Sequence, residues 1–154
     1  MKISKRDAQE TIAAALIFLY LYTGLSKYLS INAFQSVLNK SIVLQAYATL
    51  LSLALPGFEI LLAVLLAVPR TRHIGFKISQ YLLSLFTLYL LYMIKFSPKL
   101  PCSCGGIISQ LSWTQHIILN VCLMIVSLYG AYLSRQIKME KNFSTLLKHT
   151  VSQP

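Results

Sequence analysis

Residues 42–68 read IVLQAYATLLSLALPGFEILLAVLLAV, an apolar run holding one acid, Glu59, and a Pro56-Gly57 pair near its middle. A membrane-spanning helix needs about 20 mostly apolar residues, so this run is long for one crossing. Proline lacks a backbone N–H and clashes with the turn before it, which predicts a kink at Pro56. One kinked span is preferred over two short ones, because a loop re-entering the bilayer must be buried in protein.

Outward from that run, three more stretches have the same character: 11–28, 74–96 and 111–133. The chain has 154 residues, 56% hydrophobic and 12% charged, well below the quarter or so of charged residues usual in soluble domains. These features predict an all-α fold, a four-transmembrane-helix bundle forming one domain over 1–134. A basic tail follows over 135–154, where Phe143, Leu147 and Val151 recur at helical spacing, as for a helix lying on the inner leaflet. The basic start MKISKR followed by an apolar run has a signal-peptide look, but no small-residue cleavage site follows, so the first run is expected to be a retained helix.

Charge gives the expected orientation. Fourteen Lys and Arg stand against four acids. The basic residues form small clusters between apolar runs, without a patch of interleaved aromatics, which argues against nucleic acid and for membrane lipid as a partner. Lys2, Lys5, Arg6, Arg70, Arg72, Lys77, Arg135, Lys138, Lys141 and Lys148 fall on one side of the spans; Lys27, Lys40, Lys95 and Lys99 fall on the other. The richer side is expected to be cytoplasmic, giving N-in and C-in. Trp113, Tyr28, Tyr47 and Tyr92 near the outer ends, and Tyr81, Tyr129 and Tyr132 near the inner ends, read as interfacial anchors.

This orientation puts the loop from about 97 to 110 outside, in a periplasm or its equivalent. The loop contains PCSCGG, residues 101–106. Disulfides persist on the oxidising side of a membrane. A bond between Cys102 and Cys104 closes almost no loop and is strained, so it suits exchange better than stapling. A redox dithiol, a metal clip and an inert pair all remain open readings. A structural zinc usually takes four ligands, and Cys102, Cys104 and His116 supply three. Lys99 and His116 are the nearby groups able to stabilise a thiolate, and His116 is a candidate catalytic base as well as a candidate interfacial histidine. Cys122, inside the fourth span, reads as a small apolar residue.

Glu59 is the one acid inside a span. A carboxylate there is costly unless paired or facing a polar cavity, which makes it a candidate functional residue. A hydrogen bond to backbone freed by Pro56 is the structural alternative. Lys27, at the end of TGLSK, is explained by snorkelling to the headgroups. A Lys27–Glu59 pair is conceivable, but the two residues are expected at different depths.

Together, G-x-x-K (Gly24, Lys27), P-x-x-E (Pro56, Glu59) and the run PCSCGGIISQLSWTQHIILN, ending at Asn120, resemble the DoxX/MauE superfamily of small four-helix membrane proteins, the MauE branch above all. MauE is associated with maturation of methylamine dehydrogenase, and DoxX relatives include a subunit of thiosulfate:quinone oxidoreductase. The four-helix plan is also similar to that of vitamin K epoxide reductase-like enzymes, which pass electrons from an outer thiol pair through a second pair to quinone; this chain has one pair. The residues and the resemblance together predict a bacterial inner-membrane thiol–disulfide relay component. Cys102, nearer the exposed proline side of the loop, is expected as nucleophile, with Cys104 resolving and His116 tuning the thiolate. Glu59 is expected to face a polar cavity, where a quinone is the candidate cofactor. Its partner would be an extracytoplasmic thioredoxin-like protein or client. The alternative is a non-catalytic accessory subunit of a larger membrane or envelope complex.

Overall fold

The computed structural model describes residues 4–41, 43–96 and 112–151, with backbone alone at 113 and 145–151. All regular structure among them is helical: α1 (Lys5–Leu29), α2 (Ile31–Lys40), a 3-10 turn (Gln45–Tyr47), α3 (Ala48–Ala67), α4 (Arg72–Phe96) and α5 (Trp113–Val151). Four segments are long and apolar enough to cross a membrane: Lys5–Leu29, Gln45–Ala67, Arg72–Phe96 and Thr114–Ser144. The four-span all-α architecture is the one the sequence predicts. Pro56 lies inside α3, which continues unbroken on both sides of it.

Two helices depart from the expected outline. The segment after α1, between the expected spans 11–28 and 42–68, forms a helix of its own, α2. Its sequence, INAFQSVLNK, places Phe34 and Leu38 one turn apart, and both are buried against Ala48, with Leu44, Leu51 and Leu55 packed around them. Gln35 donates to Thr49 across the same seam at 2.9 Å. The second departure is length. α5 runs on from the fourth span through the basic tail as one helix of 39 residues. At 1.5 Å per residue it is roughly 58 Å long, against about 30 Å of hydrocarbon core.

Helix ends are satisfied locally. The Ser4 hydroxyl accepts from the Arg6 N–H at the start of α1, and Asp7 in that first turn complements the helix dipole. At the α3–α4 hairpin, Thr71 donates to the Leu65 carbonyl at 2.9 Å and Arg72 donates to that of Leu66 at 3.0 Å. Two of the carbonyls left over at the end of α3 are thus used.

Within a bilayer, burying apolar surface against apolar lipid gains little, so helices associate through close packing and buried polar contacts. The most extensive contacts are α1 on α3 and α4 on α5. Ala13, Leu16 and Tyr20 of α1 pack with Leu62, Ala63 and Leu66 of α3 and with Phe76 and Leu82 of α4. Phe76 is fully buried, and its ring fills the space beside Gly130 of α5 where a Cβ would lie only 2.6 Å from the ring. Ser127, one turn earlier on α5, donates to the Phe76 carbonyl at 3.0 Å.

Candidate functional site

The site begins at the α1–α3 seam. Gly24 lets the two helices approach closely: a Cβ there would lie 3.2 Å from the Pro56 carbonyl oxygen and 3.3 Å from Cβ of Glu59. The two short motifs, G-x-x-K and P-x-x-E, therefore meet in space as one unit.

Lys27 lies one turn beyond Gly24, and its ammonium donates to the Glu59 carboxylate. Both side chains are almost fully buried, 3% and 4% exposed. This corrects the expected snorkelling of Lys27 and the expected difference in depth. The reason is directional. Side chains on a helix lean toward its N-terminus, and α1 and α3 run antiparallel, so Lys27 leans one way along the bundle axis and Glu59 the other. The tilt and the length of the lysine close the gap that Cα positions suggest. The Lys27 ammonium also lies over the rings of Phe86 (5.5 Å) and Phe34 (5.9 Å), contacts that further compensate a desolvated cation.

His116 enters from α5. It lies in the first turn, its N–H bonded to the Ser112 carbonyl at 3.0 Å, and it is 4% exposed. It is therefore packed among the helices, near one end of its span. A cavity of about 70 Å³ joins these elements. Its polar side is formed by Tyr20, Thr23, Lys27, Glu59, His116 and Asn120, and its apolar side by leucines of α1, α4 and α5 together with Phe86. The structure thus brings Glu59 and His116 to one cavity, and sequence reasoning had singled out both.

Lys27, Tyr20, Thr23 and Asn120 were not expected there. A periodic signal for them does exist. Tyr20, Thr23 and Lys27 share one face of α1 at i, i+3 and i+7, and His116 and Asn120 share one face of α5 at i and i+4. Two polar stripes at helical spacing inside apolar spans indicate faces turned toward each other.

Pro101, Cys102, Cys104, Gly105, Gly106 and Lys99 lie outside the described residues, as does the side chain of Trp113. Cys122, read as a small apolar residue of the fourth span, is a free thiol on the outward face of α5. Three other pairs brace the opposite end of the bundle. Lys5 pairs with Glu140, Arg72 lies 4.0 Å from Glu10, and Gln9 donates to the buried Ser134 hydroxyl.

A buried cation–carboxylate pair beside a histidine and an asparagine can hold and pass protons, and can orient a small hydrogen-bonding group. Water fits: a liquid water occupies about 30 Å³, and a stable one needs two to four polar partners. No curated protein and no solved structure matches the chain. One family model does, described as methylamine utilisation protein MauE, over residues 5–133.

Proposed function

The chain belongs to the MauE family, and from that premise we propose that it is an integral membrane thiol–disulfide relay component serving redox maturation of proteins outside the cytoplasm. The observation that carries this reading is His116. It is buried in the Lys27–Glu59 cavity on the first turn of α5, and the chain leading into that helix bears Cys102 and Cys104. Ionisable groups held inside a membrane bundle are costly and mark function by default. The asymmetry of Lys and Arg supports N-in and C-in topology in a bacterial inner membrane, with the cysteines on the periplasmic side.

In the client-oxidising direction, a client thiolate attacks Cys102 of the Cys102–Cys104 disulfide. The Cys102–Cys104 bond breaks, a mixed disulfide forms at Cys102, and Cys104 leaves as a thiolate and takes a proton. The client's second thiolate then attacks its own sulfur in the mixed disulfide. The client leaves oxidised, and the pair is left as two thiols carrying two electrons. Exchange with the disulfide of an extracytoplasmic thioredoxin-like protein returns the pair to its oxidised form. In that exchange Cys102 is the nucleophile and Cys104 resolves. His116 takes and returns the thiol proton and so tunes the thiolate. Glu59, paired with Lys27, stands in the wall of the cavity; a membrane quinone facing it is the alternative electron acceptor.

The family's description as a methylamine utilisation protein favours a second reading, an accessory or assembly subunit of a larger membrane or envelope complex. Acid-quench alkylation in cells separates the two. The relay predicts a mixed thiol and disulfide population, with a covalent partner trapped by one of Cys102→Ser and Cys104→Ser. A pair locked in one state, nothing trapped, and co-purification at fixed stoichiometry unaffected by cysteine loss would establish the accessory subunit instead.

A further inference from the structure

The cavity beside the Lys27–Glu59 pair contains a hydroxyl that the packed helices leave unsatisfied. Tyr20 is 3% exposed and stands in the cavity wall. Across the α1–α4 seam its hydroxyl lies near that of Ser79, which is fully buried. Yet among the described residues neither hydroxyl has a partner in hydrogen-bond geometry. A stranded hydroxyl is costly in an apolar interior, and inside a bundle in a bilayer no bulk solvent offsets that cost. The content of the cavity is what can take this donor.

Other polar groups converge on the same space. Glu59 lies within electrostatic reach of the Tyr20 hydroxyl. His116 and Asn120 enter the wall from α5, one turn apart. The Thr23 hydroxyl spends its proton on the Tyr20 carbonyl, at 3.4 Å, and keeps its oxygen as an acceptor.

Size decides the occupant. The cavity measures about 70 Å³. An apolar cavity of about 150 Å³ admits a benzene ring, whereas one water takes about 30 Å³. An aromatic ring can face this cavity but cannot enter it, and about two waters fit. Each buried water needs two to four polar partners, and Tyr20, Thr23, Asn120 and Glu59 supply them from three helices.

We propose that the cavity is a hydration site for about two waters, anchored by the Tyr20 hydroxyl, and that these waters join His116 to the Glu59 carboxylate. The hydration stands without the relay; its use rests on that reading. The proton that His116 takes from a thiol passes along the waters to Glu59, leaving a neutral carboxyl beside the Lys27 ammonium. It returns by the same path when the thiol re-forms.

The test is X-ray hydroxyl-radical footprinting of the full chain in lipid nanodiscs. Radicals form from water itself, so a buried side chain is oxidised only where a water lies against it. Mass mapping should find Tyr20 and His116 oxidised, with Phe76, fully buried among apolar neighbours, as the unlabelled reference. Tyr20→Phe keeps the ring and removes the anchor, and Thr23→Leu fills the space. In both, labelling of His116 should fall to the Phe76 level while helicity and melting temperature stay unchanged. Absence of labelling in wild type would show a dry cavity and overturn the proposal, as would undiminished labelling of His116 in Tyr20→Phe. Mixed-disulfide formation should lose, in Tyr20→Phe, part of the roughly 100-fold contribution of a positioned proton carrier; an unchanged rate would overturn the proton path. Full labelling in a chain whose cysteines trap no partner would end the relay and leave the hydration site in place.

Discussion

Lys27 on α1 and Glu59 on α3 are the most deeply buried charges in the protein's described residues, and each is the other's partner. Removing one partner of such a pair strands a charge, whereas replacing both with apolar groups removes the need for compensation. Lys27→Met and Glu59→Leu should each destabilise the bundle by about 3 kcal/mol, and the double variant by clearly less than either. Unfolding of the purified protein in detergent by denaturant titration measures this. Single variants as stable as wild type would show that the pair does not hold α1 to α3.

Three glycines should respond with different signs. At Gly130 a Cβ would come within 2.6 Å of the Phe76 ring, so Gly130→Ala should cost about 1–3 kcal/mol, partly recovered by Phe76→Leu. Gly57→Ala meets nothing within 4 Å and replaces the poorer helix former, so it should stabilise by up to about 1 kcal/mol. Gly24→Ala, at 3.2–3.3 Å from α3, should fall between the two. Melting temperatures of the three variants rank them directly.

If His116 handles the thiol proton, its loss should slow exchange without unfolding the bundle. His116→Ala is expected to lower the rate of mixed-disulfide formation by about 100-fold at neutral pH. An unchanged rate would remove His116 from the chemistry while leaving the cysteines in it.

Cys122 provides the control. Its side chain faces outward from α5, so Cys122→Ala should change stability by less than about 0.5 kcal/mol and leave exchange untouched. Any covalent partner trapped through Cys122 would contradict this assignment.

Orientation is tested by labelling. In a chain lacking its native cysteines, Arg70→Cys in the α3–α4 turn should react with a membrane-impermeant maleimide only after the cells are opened. Lys40→Cys should react in intact cells. The reverse pattern would turn the bundle over and place Cys102 and Cys104 in the cytoplasm.

Much of this architecture is legible in the sequence because bilayer thickness imposes a length and a composition that few other settings demand. The apolar runs and the flanking cations mark four spans directly. What was hidden depended on direction and on neighbours. Lys27 reads as a snorkelling residue until the tilt of side chains on antiparallel helices is combined with the close approach at Gly24. Asn120 is only the end of a motif in the sequence until His116, one turn before it, is known to face inward. α2 was missed because its apolar pair, Phe34 and Leu38, is too short a signal beside the long runs around it. The continuity of α5 was missed because charge density, which marks the end of a span, does not mark the end of a helix.

That continuity has a mechanical meaning. His116 and Glu140 are side chains of one proline-free rod, 24 residues and about 36 Å apart. A roll or slide of α5 that repositions the histidine in its cavity also displaces the carboxylate that grips Lys5. One stiff helix thus ties the cavity at one end of the bundle to the Lys5–Glu140 pair at the other.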